Sequence, residues 1–246
     1  MDRLDHFLSF YIDKMTEGSC VPIDLATVCG KIGAVVEERE MIPEAAMQPR
    51  DGRFHIYLQS NFKDLPGTTR RRRFTWAHEI GHTLFFEQRD GELKPRADAP
   101  RGDKLESACH RAASMILVPT NQLKVELRSE KVDGAARIVE LADHFDVSVE
   151  VMTRRLNELS LFQRWAPVLT RRIGQSLEIQ FAARPSWIGQ HLTVPKRGME
   201  FVAWFSATNE SNRVLKRQNG KVTIEATPIE VSASLIIFEL RERFLV

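Results

Sequence analysis

Cysteine is scarce in this sequence: Cys20, Cys29 and Cys109 are the only three, and no two form a CxxC pair. An odd, scattered set suggests neither a disulfide framework nor a thiolate zinc knuckle, and it fits a reducing compartment. Long apolar runs are also missing, since none approaches the roughly 18 residues of a membrane span. The opening MDRLDHFLSFYIDKM breaks its short apolar stretch with Asp2, Asp5 and Asp13, unlike the positive-then-apolar order of a secretion signal. These absences predict a soluble, cytoplasmic protein with no membrane partner. Neither sign of charge dominates: 35 basic and 33 acidic residues leave +2, too balanced for wholesale binding of nucleic acid or membrane, so any basic patch is local. Repeats and low-complexity tracts are absent. What remains is 246 residues, 43% hydrophobic, enough for one large domain or two modest ones.

Leu4, Phe7, Leu8, Tyr11 and Ile12 recur at helical spacing, and Asp24 is placed to cap a second helix through LATVC that stops at Gly30. The segments AVVEER (34 to 39) and RFHIYLQ (53 to 59) are strand-like, with Pro43, Pro49 and an Asp51-Gly52 turn between them. A long helix is expected over about 68 to 86, followed by an exposed Gly- and Pro-rich loop over 89 to 103. In DKLESACHRAASMILVPT the apolar positions Leu105, Ala108, Cys109, Ala112, Met115 and Ile116 mark a fourth helix, ended by Pro119, with Thr120 as cap of a short fifth. Residues 133 to 159 read as two helices around a break at DVS, the second capped by Ser148, which is a helix-turn-helix outline. Beyond Pro167 the segments SLEIQFAA, FVAWFSA, RVLKR, KVTIEA and SLIIFELRERFL are strand-like, with Asn219-Gly220 a hairpin turn. The expected class is α+β, with a domain boundary near residue 165. Trp187, Trp204 and Phe205 are expected in the core of the last part.

The stretch RRRRFTWAHEIGHTLFF (70 to 86) places His78 and His82 four residues apart around Glu79. On a helix that spacing puts both imidazoles on one face, about 6 Å apart along the axis, able to aim nitrogens at one point. Zinc accepts neutral imidazole, and catalytic sites typically use three protein ligands. Glu79, swung to the side of that pair, suits a general base rather than a ligand. H-E-x-x-H arises by accident in roughly one chain of this size in a hundred, so context decides. The motif lies on a predicted helix whose Phe74, Ala77, Leu84 and Phe85 form an apolar face. Gly81 costs that helix about 1 kcal/mol relative to Ala, a cost that close packing of another element would explain.

A third ligand is expected from the following helix, and Glu106 is the choice, with Asp98, Asp103 and His110 as rivals. His110 lies one turn past Glu106, where it either binds the metal or hydrogen-bonds a ligand from behind. His55 and Tyr57 are candidates by position for stabilising an oxyanion, and their strand, if it is an edge, could pair with an extended peptide.

Two motifs carry a family resemblance. RRFTWAHEIGHTLFF, followed 24 residues after His82 by ESACHRAASMILVP, resembles the ImmA/IrrE family of zinc-dependent metallopeptidases, with its R-F-T-x-A-H-E-x-G-H and E-x-x-x-N-x-F-A-x-x-L-L-x-P patterns. The likeness runs from about Val21 to Leu159. It implies a zincin-like core over residues 1–130 and a helix-turn-helix-like segment over 131–164. Residues 165–246 fall outside the likeness and are expected, from their strand pattern, to form a β-rich C-terminal domain, with a regulatory role suggested by the sensor-like domains that some relatives append. It further implies that His78, His82 and Glu106 hold Zn2+ and that Glu79 activates water, with Mn2+ an alternative metal. The implied substrate is a helix-turn-helix repressor of the Cro/CI type, cleaved to release a stress or mobile-element response. His110 stands where the family usually has Asn.

The competing reading is a DNA- or repressor-binding regulator with a non-catalytic metal site. It rests on Arg154 and Arg155 of the second 133–159 helix and on the Arg70 to Arg73 run. That run is otherwise a solvated helix face or a device for steering an acidic segment.

Overall fold

The computed structural model describes residues 3–61, 68–127, 132–162, 165–183, 197–201, 208–211, 214–219 and 222–244. Trp187, Trp204, Phe205, Gly220 and all of FVAWFSA but Phe201 lie outside the described residues. Helices and strands are interspersed as expected of an α+β chain. Two compact units are formed, Met1–Ser129 with Asp143–Ser148, and Glu130–Ala142 with Val149–Val246. Among the described residues no helix is long and apolar enough to cross a membrane.

The first unit begins with α1 (Arg3–Thr16) and α2 (Leu25–Lys31). Asp24 caps α2 as its sequence predicts, accepting from the Ala26 N–H at 3.0 Å and the Thr27 hydroxyl at 2.6 Å. Three strands follow, β1 (Val35–Arg39), β2 (Ala45–Arg50) and β3 (Arg53–Gln59), in the order β1-β3-β2. β3 pairs parallel with β1 and antiparallel with β2, so it is the central strand and not an edge. β2 is an addition to the sequence reading, hidden there by Pro43 and Pro49.

Helix α3 (Thr68–Thr83) carries the H-E-x-x-H motif. It ends three residues before the predicted limit because its last turn tightens: the Leu84 and Phe85 N–H groups bond back to Gly81 and His82 carbonyls, each at 3.2 Å. The chain then enters a hairpin, β4 (Phe86–Arg89) and β5 (Glu92–Pro95), in what the composition presents as an open loop. Its two-residue turn, Asp90-Gly91, has φ of 55° and 79°, the signature of the I′ turn that matches strand twist. Helix α4 (Asp103–Leu117) follows, and α5 (Thr120–Glu126) starts with Pro119, not Thr120, in the cap position.

The four arginines that open α3 are not a solvated face. Arg70 pairs with Asp143 at 2.7 Å and Asp146 at 3.3 Å, Arg73 with Asp146 at 3.1 Å, Arg71 with Glu44, and Arg72 with Glu38 at 2.5 Å. Cations near the positive end of a helix dipole are unfavourable, and these carboxylates offset that.

α3 and α4 meet at Gly81. A Cβ there would stand 3.1 Å from the Cys109 carbonyl oxygen and 3.2 Å from the Ala112 Cβ. Both belong to the rigid body of α4, so the glycine has the packing reason its helix cost calls for.

The second unit contains α6 (Ala135–His144) up to Ala142, α7 (Val149–Glu158) and a six-stranded antiparallel sheet. Its strands β6 (Trp165–Ile173), β7 (Ser176–Ala182), β8 (Thr208–Ser211), β9 (Val214–Asn219), β10 (Val222–Glu230) and β11 (Leu235–Phe244) are ordered β7-β6-β11-β10-β9-β8. β6 begins two residues before Pro167 and is an addition to the strands the sequence signals; β9 and β10 pair with Asn219 opposite Val222. Within the unit, Glu239 accepts the Ala135 N–H at 2.5 Å and so caps α6.

Gly81→Ala gains about 1 kcal/mol of helix propensity and loses more to overpacking against α4, typically about 1–3 kcal/mol. The expected net result is a lower denaturant midpoint with an unchanged slope in urea unfolding.

Candidate metal centre

Helical spacing places His78 and His82 on the side of α3 that meets α4, three residues before Gly81 and one after it. Their Nε2 atoms are 3.1 Å apart. From α4, Glu106 brings Oε2 to 3.2 Å from His78 Nε2 and Oε1 to 3.7 Å from His82 Nε2. Ligands held at about 2.0–2.1 Å by one tetrahedral cation stand about 3.3–3.4 Å apart, and the three donors match that spacing. His78, Glu79 and His82 also offer ligand atoms all within 4.8 Å of one another. Two imidazoles and a carboxylate are a donor set suited to zinc and acceptable to manganese.

Burial sets the protonation of the cluster. His78 is pushed down to about 4, first by burial and then by the neighbouring His82 and His110, against an opposing pull from Glu106. His82 is lowered too, chiefly by burial. Both rings are therefore held in the neutral form that a metal requires. Glu79, only 8% exposed, is raised to about 7 by burial, opposed by a hydrogen bond from the Met47 N–H and helped by the charge of Glu106.

Met47 was not anticipated, because its strand was not. The Gln59 N–H bonds to the Glu44 carbonyl at 2.9 Å, and the β2–β3 register continues from there. Backbone groups of Ala46, Gln48 and Arg50 therefore turn inward to β3, and those of Ala45, Met47 and Pro49 turn outward. The outward Met47 N–H is the one that reaches Glu79.

The remaining expected residues fall elsewhere. His110 packs its ring 4.5 Å from that of His78 and stacks on Phe74 at 5.8 Å, while Nδ1 donates to the Glu106 carbonyl at 2.8 Å. It thus backs the His78 ring. Among the described residues His78 Nδ1 is buried with no hydrogen-bond partner, so this imidazole is oriented by its packing against His110 and by the approach of Nε2 to Glu106 and His82. The group His78, Glu79 and His82 includes neither Asp98 nor Asp103, and Glu106 joins it through its contacts with the two histidines. His55 and Tyr57 project from the sheet face opposite to Glu38, the residue that pairs with Arg72 of α3. There His55 contacts Glu37 at 3.4 Å and Arg39 lies over the Tyr57 ring at 4.1 Å. Alternation along β3 thus turns both away from α3, and neither joins the cluster.

Residues 67–157 match the family model described as the IrrE N-terminal-like domain, of a peptidase family. This chain carries an ImmA/IrrE-family domain. The matched stretch contains the H-E-x-x-H helix, Glu106 and the helix pair α6–α7. No curated protein matches the chain. Among solved structures, a Mycobacterium tuberculosis transcriptional regulator is similar in fold, at 14% identity and a TM-score of 0.51, over 98% of this chain and 90% of that one. The ImmA/IrrE-family domain thus occupies the middle of a chain whose fold as a whole has a solved counterpart.

Replacing Glu106 by Ala is expected to weaken Zn2+ binding by more than about 100-fold, beyond what losing a supporting hydrogen bond costs. Competition against a chromophoric chelator measures this. Glu106 is 52% exposed, so the fold should survive, and unchanged affinity and stoichiometry would remove it from the ligand set.

Proposed function

We propose that the chain is a metal-dependent endopeptidase with a zincin-like core, in which His78, His82 and Glu106 hold the cation and Glu79 is the general base. The observation that carries this reading is the 3.1–3.7 Å spacing of three donor atoms drawn from two helices, beside a buried carboxyl. Zn2+ is the favoured metal and Mn2+ the alternative. When bound, such a cation supplies Lewis acidity, polarising a carbonyl and making water a better nucleophile near neutral pH.

The chain's own groups do the rest. A carboxyl whose affinity for protons is balanced near 7 both takes a proton from water and returns it to a departing amine. The Met47 N–H holds one side of that carboxylate, so Glu79 is oriented before a substrate arrives. The β2 edge beside it turns outward the carbonyls of Ala45, Met47 and Pro49, and an extended peptide laid there would donate its N–H groups to them. Edge pairing moves from β3, where the sequence suggests it, to β2.

The family resemblance supports a helix-turn-helix repressor of the Cro/CI type as substrate, with cleavage relieving repression in a stress or mobile-element response. We assign the strands after residue 165 to a regulatory module and the protein to the cytoplasm, in keeping with its three free thiols. Direct DNA reading by α7 is disfavoured by its own contacts. Arg154 is tied to Glu150 at 2.8 Å and lies over Phe181, and Arg155, 3% exposed, pairs with Glu158 at 3.0 Å.

The test is incubation of the purified protein and Zn2+ or Mn2+ with the helix-turn-helix repressor encoded beside it. Wild type should cut it, and Glu79→Gln should slow cutting by about 10²- to 10⁴-fold with metal content unchanged. Repressor binding without cleavage by either form would point to a regulator with a non-catalytic metal site. A salt-dependent shift of duplex DNA would point to direct operator binding.

A further inference from the structure

A histidine that binds a metal is usually held from behind through its second ring nitrogen, which donates to a carbonyl or a carboxylate. His78 departs from that pattern, because among the described residues its Nδ1 has no partner. The terminal torsion of an imidazole is soft and roughly two-fold, so a ring without that tether needs another device to hold its plane.

His110 supplies the device. Phe74 and His78, four residues apart on α3, share one face of the helix. From α4 the His110 ring meets both of them, 5.8 Å from Phe74 at an interplanar angle of 24° and 4.5 Å from His78 at 55°. Both separations lie in the range over which aromatic rings pack favourably. One ring of α4 thus bridges two rings of α3.

The His110 ring is itself fixed. Its Nδ1 donates to the Glu106 carbonyl at 2.8 Å, one turn back in the same helix. That bond commits Nδ1–H, so the neutral ring has no second N–H to give. The ring is therefore bonded to the backbone of one ligand-bearing residue and packed on the side chain of another. Between the same two residues, Glu106 Oε2 comes to 3.2 Å from His78 Nε2. His110 is also exposed, so replacing it leaves the packing of α3 on α4 at Gly81 in place.

We propose that His110 is a positioning residue of the metal centre: the face of its ring, rather than either nitrogen, sets the plane of His78 and its separation from Glu106. This rests on the reading of His78, His82 and Glu106 as ligands. It replaces both roles that the sequence offers for His110, direct ligation and a hydrogen bond from behind.

Three variants separate the ring from its nitrogens. His110→Phe keeps an aromatic face and has no nitrogen, His110→Asn keeps an N–H donor and has no ring, and His110→Ala has neither. Zn2+ affinity of the full chain is measured by competition with a chromophoric chelator. The order of the His78 ring is read from histidine ring-proton spectra of the metal-free protein, with His78→Ala identifying its signals. Wild type and His110→Phe should bind one Zn2+ with similar affinity and show one sharp set of His78 signals. His110→Asn and His110→Ala should bind about tenfold or more weakly, with those signals broadened or doubled, while all four proteins melt alike.

His110→Phe binding as weakly as His110→Ala would make a nitrogen the working part and overturn the proposal. So would His110→Asn binding as tightly as wild type, or one sharp set of His78 signals in His110→Ala. Each of these leaves wild-type zinc binding intact, whereas a wild type that binds no zinc overturns the ligand reading and the proposal with it.

Discussion

Two helices come close only where a side chain steps aside, and the arrangement of this molecule turns on one such place, Gly81. Because α4 lays Cys109 and Ala112 directly against it, the register between α3 and α4 is set there. Glu106 lies one turn before Cys109 and the two histidines straddle Gly81. The helical repeat then carries all three donors to one point without any loop having to place them. Ligands on rigid elements hold their geometry better than ligands on loops. A larger residue at 81 would shift two helices at once and with them every distance in the cluster.

α3 is electrically divided along its length. Its first half carries four arginines, each answered by a carboxylate from a distant part of the chain: Glu38, Glu44, Asp143 and Asp146. Its second half is apolar and buried, and there burial holds imidazoles neutral and a carboxyl protonatable near neutrality. The ion pairs stand at a half-exposed surface, where each contributes modestly, but together they fix the helix against β1, β2 and the turn after α6. Charge thus orients the helix from outside, and the dry half is left free for chemistry.

What could be read ahead of the structure follows the periodicity of helices. The i, i+4 histidines, the glutamate between them, Glu106 on an otherwise apolar helix and the packing need at Gly81 are all local patterns, and the structure brings these residues together. What could not be read depends on partners far away in sequence. β2 is bracketed and interrupted by prolines, so its residues resemble a loop, and the Met47 contact to Glu79 was invisible with it. His55 and Tyr57 were placed on a strand correctly, but the face they occupy depends on how that strand pairs with β1 and β2. The Arg70 to Arg73 run resembles a solvated surface until Asp143 and Asp146, more than seventy residues on, are folded back against it. The hairpin after α3 was signalled only by Asp90-Gly91, short against the polar stretch around it.

The outward edge of β2 also bears on self-association. An exposed edge strand is a template on which a second copy of a protein can zip up and seed aggregates. Here one outward N–H is occupied by Glu79, and the next residue facing out is a proline with none to offer. A rung-by-rung ladder between copies therefore runs out of donors within two steps. The same contact that orients a carboxylate leaves this edge able to accept hydrogen bonds but with little left to donate.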